Sequence, residues 1–341
     1  MAAILPDTGA RFLVTGAAGF IGCFLSKRLL EEGYEVIGID NLNDYYDVNL
    51  KLSRLELLKG FARFTFLRRD VSCKDTVMEV FSDYCPDYVI HLAAQAGVRY
   101  SIDHPEAYMK SNVMGFFHIL EACRRFPVRH LLYASSSSVY GANRKVPFEE
   151  KDFVDHPVSL YAATKKSNEL MAYTYSHLFQ IPSTGLRFFT VYGPMGRPDM
   201  AYFGFTDCFF KGEPIRIFNN GDFEHDLYRD FTYIDDIVDG IIRLISEPPS
   251  GKPPAILYNI GNHKPEKLMV FIESLEKALS RKLRREVSFQ KVYEPMKAGD
   301  VPATYASTTL LEEATGFRPV TPIEIGLQKF ADWYVDYYMV T

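Results

Sequence analysis

The sequence predicts an α/β protein, a doubly wound parallel sheet followed by a smaller C-terminal α/β lobe. Three observations predict it. From Arg11 to about Phe189 short apolar runs alternate with amphipathic stretches, the pattern of βαβ units whose sheet is covered on both faces. Glycines 16, 19 and 22 stand where the first apolar run meets the first amphipathic one. Beyond Tyr192 the alternation stops and proline and glycine become frequent, with a proline-rich linker at Glu247–Pro254.

Taken in order, the expected strands are Phe12–Val14, Glu35–Ile39, Phe64–Leu67, Tyr88–His91, His130–Ala134 and Ser183–Phe188. Helical patterns lie between them at Phe20–Glu32, Lys74–Tyr84, Ala107–Arg125 and Tyr161–Phe179. Later helices are expected at Ile234–Ser246, Lys267–Leu279 and Pro322–Tyr338, the last with Thr321 as N-cap and Pro322 at its first position. The division that follows is a flexible leader at 1–10, a sheet domain at 11–190 with elements returning near 231–262, and a lobe formed mainly by 191–341.

Charge and cysteine usage exclude several function classes. A formal charge of −5 leaves no basic stripe for nucleic acid. No apolar run approaches the roughly 20 residues of a membrane span, and the leader lacks the basic and apolar regions of a signal peptide. The five cysteines, at 23, 73, 85, 123 and 208, are odd in number and form no CxxC pair. Unpaired thiols in a reducing compartment, the cytoplasm, are therefore expected, and no metal.

The junction Val14-Thr-Gly-Ala-Ala-Gly-Phe-Ile-Gly22 carries chemistry. Glycines 16, 19 and 22 permit a tight turn, close approach of a pyrophosphate and packing of helix on strand. The N–H groups around Gly19, Phe20 and Ile21 then face phosphate at a helix N-terminus. Asp40, closing the second strand, is placed to accept from the ribose hydroxyls of the adenosine and to repel a 2′-phosphate, which favours NAD over NADP. Asp70 and Val71 are placed to meet the adenine, and Leu92, Ala93, Ala94 and Gln95 offer small residues beside the cofactor.

Tyr161 and Lys165 stand one helical turn apart on one face. A free phenol titrates near 10, and a nearby ammonium and an oxidised nicotinamide both favour the phenolate. The fifth strand runs out into Ser135-Ser-Ser-Ser138, which reads either as a turn, with serines bonded to nearby backbone, or as part of a site. In the second reading a serine hydroxyl and the Tyr161 phenol converge on one substrate oxygen. Such a pair removes an alcohol proton while a hydride leaves the same carbon for NAD.

From Phe12 to Tyr338 the chain resembles the UDP-glucuronate 4-epimerases, nucleotide-sugar epimerases of the extended short-chain dehydrogenase/reductase type. The resemblance rests on Thr15–Gly22, Gly38–Tyr46, Ala93–Tyr100, Asp155–Tyr161, Leu186–Pro194 and Arg229–Asp236. It implies a Rossmann sheet with bound NAD, a UDP-sugar substrate, Tyr161 as base, Lys165 as cofactor anchor and Ser136 as the third catalytic residue. It extends the cofactor site to Asn41, Asn43, Asn112, Ser135 and Phe188. It assigns Arg197 to the sugar side, Arg229 to the UDP, Asp300 to the uridine ribose and the Arg216-Ile217-Phe218 edge to uracil. Asp199 and Met200 are expected to line the same pocket; Arg99 either joins them or makes a structural ion pair.

The resemblance turns the serine run into a site. Thr190 stands where the wider epimerase family often has Asn, so Ser137, Ser138 and Thr190 surround the C5 substituent of the sugar, uncharged donors suited to a carboxylate. The chain departs from the family at Met195, where relatives usually have Trp, at Lys297, and in a longer Asn220–Tyr228 segment. Rival activities are another UDP-sugar 4-epimerase, a UDP-glucuronate decarboxylase or a nucleotide-sugar 4,6-dehydratase. A dehydratase commonly carries Asp-Glu after the catalytic hydroxyl, where this chain has Ser137-Ser138. A non-enzymatic NAD sensor would typically have lost Tyr161 or Lys165. Apolar stripes on two helices (Phe116, Ile119 and Leu120; Leu170, Tyr173 and Leu178) predict a homodimer.

Overall fold

The structure is a computed structural model that describes residues 7, 9–219, 222, 227–295 and 303–340. Its centre is a sheet of seven parallel strands. They are β1 (Arg11–Thr15), β2 (Glu35–Asp40), β3 (Phe64–Arg68), β4 (Tyr88–His91), β5 (His130–Ser136), β6 (Ser183–Phe188) and a seventh at Ala255–Ile260. Their spatial order is β3-β2-β1-β4-β5-β6-seventh. All six strands read from the sequence are present.

Period-two alternation builds the two faces. Phe12 and Val14 of β1 and Val36 of β2 join one apolar layer, with Cys23, Leu25 and Leu29 of helix α1 (Phe20–Glu31). Leu13, Ile37 and Ile39 point the other way, into a layer with Val77 and Phe81 of helix α3 (Lys74–Tyr84) and Phe116, Ile119 and Leu120 of helix Gly115–Arg125. After β3 the chain crosses to the far side of β1. The C-terminal ends of β1 and β4 therefore diverge into a crevice, where open α/β sheets bind ligands.

Three expectations change. Ala107–Arg125 is not one helix but Pro105–Tyr108, a π-helical turn at Met109–Met114, and Gly115–Arg125. The wide turn lets Asn112 leave the helical register and bond Gln95 and Thr164. Four helices escape sequence reading, α2 (Val48–Lys59), Tyr100–Asp103, Ala201–Lys211 and Thr309–Thr315. The last helix has Pro322 rather than Thr321 as N-cap; the Thr321 side chain bonds Asp236, which also accepts the Thr321 N–H (3.0 Å). The expected leader falls mainly on residues outside those described, although Ala10 is already buried.

Beyond β6, short strand pairs replace the long sheet. Thr190–Tyr192 runs parallel to Phe231–Tyr233, Ile215–Ile217 to Lys291–Tyr293, and Ala303–Thr304 to Tyr228–Arg229. Aromatic packing joins them to the sheet side: Phe231 stacks on Phe271 at 3.9 Å, and Tyr202 meets Phe330 edge-on at 4.7 Å. All five cysteines are free. Among the described residues no helix is long and apolar enough to cross a membrane, and no group of three or more His, Cys, Asp or Glu is placed to hold a metal ion.

Candidate active site

The glycine turn is dictated by contact. A Cβ at position 22 would sit 2.1 Å from the Gly16 carbonyl oxygen, and one at position 16 would sit 2.9 Å from the Ala93 nitrogen. Gly16 also adopts φ +75, the left-handed region. The N–H groups of Gly16 and Ala17 donate to the Ile39 carbonyl (2.7 and 3.1 Å), pinning the turn to β2. The first intrahelical bond of α1 is Cys23 N–H to Gly19 carbonyl (3.1 Å), so the amides of Phe20, Ile21 and Gly22 precede it and face the cavity.

Asp40 closes β2 over this turn. Its carboxylate accepts from Ala18 N–H (3.2 Å) and Leu42 N–H (2.9 Å), and burial pushes its pKa upward. Burial also opposes the charge of Asp70, but bonds from Ser72 and Asn41 and the charge of Lys110 hold that carboxyl below its ordinary value. One cavity runs from the glycine turn past Asp40 and Asp70 to Tyr161. Leu92, Ala93, Ala94 and Gln95, which follow β4, and Phe188 at the end of β6 also line it. A cradle that a single Cβ would fill, donor amides at a helix start and a carboxylate at the diol position fit a dinucleotide.

The side chains expected to be catalytic enter from helix Leu160–Phe179. Ser159 caps it, accepting from Ala162 N–H at 3.1 Å, and so places Tyr161 and Lys165 in its first two turns. Lys165 Nζ donates to the Ala134 carbonyl (2.8 Å), and burial lowers its pKa to about 8. Burial raises the Tyr161 phenol. The groups that pull it back are the Ser136 hydroxyl, which bonds it, and the charge of Arg197. The charge of Asp199, which Arg197 pairs, works the other way, and the Lys165 ammonium donates to the Ala134 carbonyl.

Other expected cofactor residues divide by role. Asn41, Asn43 and Val71 line the cavity, with Asn43 also accepting from Lys51 Nζ (2.6 Å). Ser135 lines it too, but its hydroxyl donates to Glu169 (2.6 Å). Glu169 in turn grips Arg187 through two bonds of 2.8 and 2.9 Å, both side chains buried. Asn112 is not among the cavity-lining residues; its amide holds both the N–H and the carbonyl of Gln95 (2.8 and 3.0 Å), so it positions the β4 end.

On the sugar side Arg197 forks onto Asp199 (2.9 and 2.6 Å), and Tyr45 donates to the same carboxylate (3.2 Å). Arg197 and Met200 face the cavity beside Tyr161. Arg99 stacks over Phe218 (4.8 Å), bringing two expected residues together. Arg216 pairs with Glu294 (3.3 Å), Ile217 is buried, and Arg229 donates to the Tyr228 carbonyl (2.8 Å). Ser136 stands on the cavity wall; Ser137 and Ser138 follow it in a 3₁₀ turn (Ser137–Tyr140), and Thr190 opens the next short strand. Asp300, Lys297 and most of the 220–228 segment lie outside the described residues.

Residues 12–261 match the NAD dependent epimerase/dehydratase family. The chain belongs to that family. "Protein CapI" of Staphylococcus aureus is 49% identical over 96% of this chain and 99% of its own. A "Probable UDP-glucuronate 4-epimerase" of Rhizobium meliloti is 45% identical, covering 96% and 98%. The crystal structure of a UDP-glucuronic acid 4-epimerase from Bacillus cereus, in complex with UDP-glucuronic acid and NAD, superposes with a TM-score of 0.86 at 32% identity, covering 96% of this chain and all of that one.

As an NAD-dependent epimerase/dehydratase, the chain carries site residues that sequence reading missed. Tyr45, Tyr46, Lys51 and Arg69 line the same cavity. Lys51 and Arg54 are buried on α2 among Leu50, Leu55 and Leu58. Cations inside a leucine stripe were the available signal.

Proposed function

We propose that this protein is a UDP-glucuronate 4-epimerase, interconverting UDP-glucuronate and UDP-galacturonate. The observation that carries the reading is the meeting of Tyr161, Ser136 and Lys165 at one end of a cavity whose other end is the glycine cradle. The names of the relatives support the sugar. NAD, when bound, supplies the hydride acceptor and donor at C4. Tyr161 takes the O4 proton and returns it; the Ser136 hydroxyl holds the phenol and the sugar oxygen in line; Lys165 anchors the cofactor ribose. Gly16, Gly19, Gly22 and Asp40 hold the dinucleotide. Arg99, Arg216, Arg229 and Asp300 hold the UDP, so that the oxidised sugar turns about its pyrophosphate and presents its other face. Residues 11–190 with 231–262 form the NAD-binding domain and 191–341 mainly the nucleotide-sugar lobe. Incubation with UDP-glucuronate, followed by NMR, tests the reading: UDP-galacturonate is expected, and its absence with cofactor bound would sink it.

Oxidation at C4 makes a β-keto acid, which loses carbon dioxide when the breaking bond aligns with the carbonyl π orbitals. Ser136 and Phe188 are register partners on β5 and β6, so Ser137, Ser138 and Thr190 follow them at the ends of adjacent strands. There we assign them to hold the carboxylate out of that alignment. Thr190→Val and Ser137→Ala are each expected to raise the ratio of decarboxylated 4-keto-pentose to epimer, read by mass spectrometry with NAD still bound. Carbon dioxide per turnover no greater than wild type would remove the assignment.

The partner we infer is a second copy. Phe116, Ile119 and Leu120 pack against the chain's own sheet, whereas Leu170, Tyr173 and Leu178 on helix Leu160–Phe179 are 57%, 55% and 61% exposed. An outward apolar stripe of this kind fits an isologous helix pair. Light scattering at micromolar concentration is expected to give twice 39.0 kDa; a particle of 39.0 kDa would exclude the dimer. Unpaired thiols fit the cytoplasm as its location.

A further inference from the structure

Arg54 is fully buried, and each of its five hydrogen bonds ends on a neutral oxygen. Nε and Nη2 both donate to the Met195 carbonyl (3.0 and 2.7 Å), and Nη2 also reaches the Gly196 carbonyl (3.2 Å). Nη1 donates to the Ala18 carbonyl (3.0 Å) and the Tyr46 hydroxyl (2.6 Å). Burying a guanidinium is costly unless its donors are satisfied. A side chain that only packed α2 would be better made of carbon.

The places it joins explain the charge. Ala18 lies inside the glycine turn, and its N–H donates to Asp40 (3.2 Å). Met195 and Gly196 immediately precede Arg197, which faces the cavity beside Tyr161. Met195 is held at φ +55, a conformation that costs a residue with a Cβ about 1 kcal/mol or more. Its carbonyl, turned inward by that conformation, receives two of the five bonds. We propose that Arg54 is a positioning residue that ties the cofactor turn to the sugar-side loop, holding residue 195 left-handed so that Arg197 stays aimed into the cavity. The inference rests on the proposed function for its effect on turnover; its effect on cofactor retention does not.

Arg54→Lys tests it, because an ammonium cannot span the three carbonyls that the planar fork reaches. Purified protein loaded with NAD is passed through gel filtration, and the NAD remaining per chain and its release rate are measured, with circular dichroism as the folding control. Release about tenfold faster and kcat about tenfold lower are expected, the loss of roughly one hydrogen bond from a charged donor on each side. Adding Met195→Gly should restore most of kcat, since glycine takes φ +55 unaided, but not NAD retention, since the Ala18 bond stays broken. Should Arg54→Lys alone not fold, recovery of folded protein by the added Met195→Gly is the expected result. Wild-type NAD retention in Arg54→Lys, or no recovery of kcat or folding with Met195→Gly, overturns the proposal. If wild type does not turn over UDP-glucuronate, the functional reading fails while NAD retention still decides the clamp.

Discussion

Tyr161→Phe is expected to lower turnover by a factor of about 10²–10⁴ while NAD remains bound, the loss typical when a positioned acid–base group is removed. The substitution deletes one oxygen. It leaves the ring, which meets Tyr108 edge-on at 6.1 Å, and the Lys165 bond to Ala134 (2.8 Å). The neighbouring groups are poor substitutes: the Ser136 hydroxyl is too weak an acid to ionise, and the Lys165 ammonium donates to the Ala134 carbonyl. Burial raises the phenol, so its proton leaves readily only where Ser136 and Arg197 offset that cost. Turnover of UDP-glucuronate by NMR, alongside NAD released on denaturation, decides it. A variant that keeps more than about a hundredth of the wild-type rate would show that the proton goes elsewhere.

Glu169→Leu should cost about 3–5 kcal/mol of stability, the usual penalty for stranding one member of a buried ion pair. Its carboxylate holds Arg187 through both oxygens, with side-chain exposures of 3% and 1%, and accepts from Ser135 as well. Burial works against the charge of Arg187, yet its bonds to Glu169 keep its pKa above the ordinary arginine value. The guanidinium also covers the Tyr140 ring at 4.9 Å, so it has no route to water once its partner is gone. In the double variant with Arg187→Met the stranded charge disappears, and most of the stability should return. Thermal unfolding followed by circular dichroism reads both. A single variant as stable as the double would mean that the pair is not coupled.

The parts legible in the sequence are those where one physical requirement acts alone. A parallel strand buried on both faces is mostly apolar, and the expected strands Tyr88–His91 and Ser183–Phe188 coincide with β4 and β6 to the residue, although β6 buries Ser183, Thr184 and Arg187 as well. Glycine at 16 and 22 answers to backbone contacts that exclude any Cβ, and its spacing announces them. Where two requirements meet, the pattern blurs. Helix α2 interrupts its leucines with Lys51 and Arg54 because the same face must pack and also reach the cavity loops. The π-helical turn at Met109–Met114 follows from what Asn112 touches across the fold, which helical periodicity cannot express. Ser135 lines the cavity, but alternate residues of a strand face opposite ways, and its hydroxyl goes to Glu169, a partner that adjacency to Ser136 does not announce. The opposed charges of Arg197 and Asp199 reach Tyr161 from a different loop, which no spacing along one helix contains.

The seventh strand has a consequence for synthesis. It pairs with β6 from Ala255 to Ile260, although β6 ends at Phe188. On the ribosome, roughly 70 residues separate the two, several seconds at a rate of about 5–20 residues per second. Throughout that interval β6 is an edge with a row of unpaired amides, the kind of edge that recruits neighbouring chains. The nascent protein therefore passes through a stage in which its sheet is open on one side, and that stage closes only after Ile260 has left the exit tunnel.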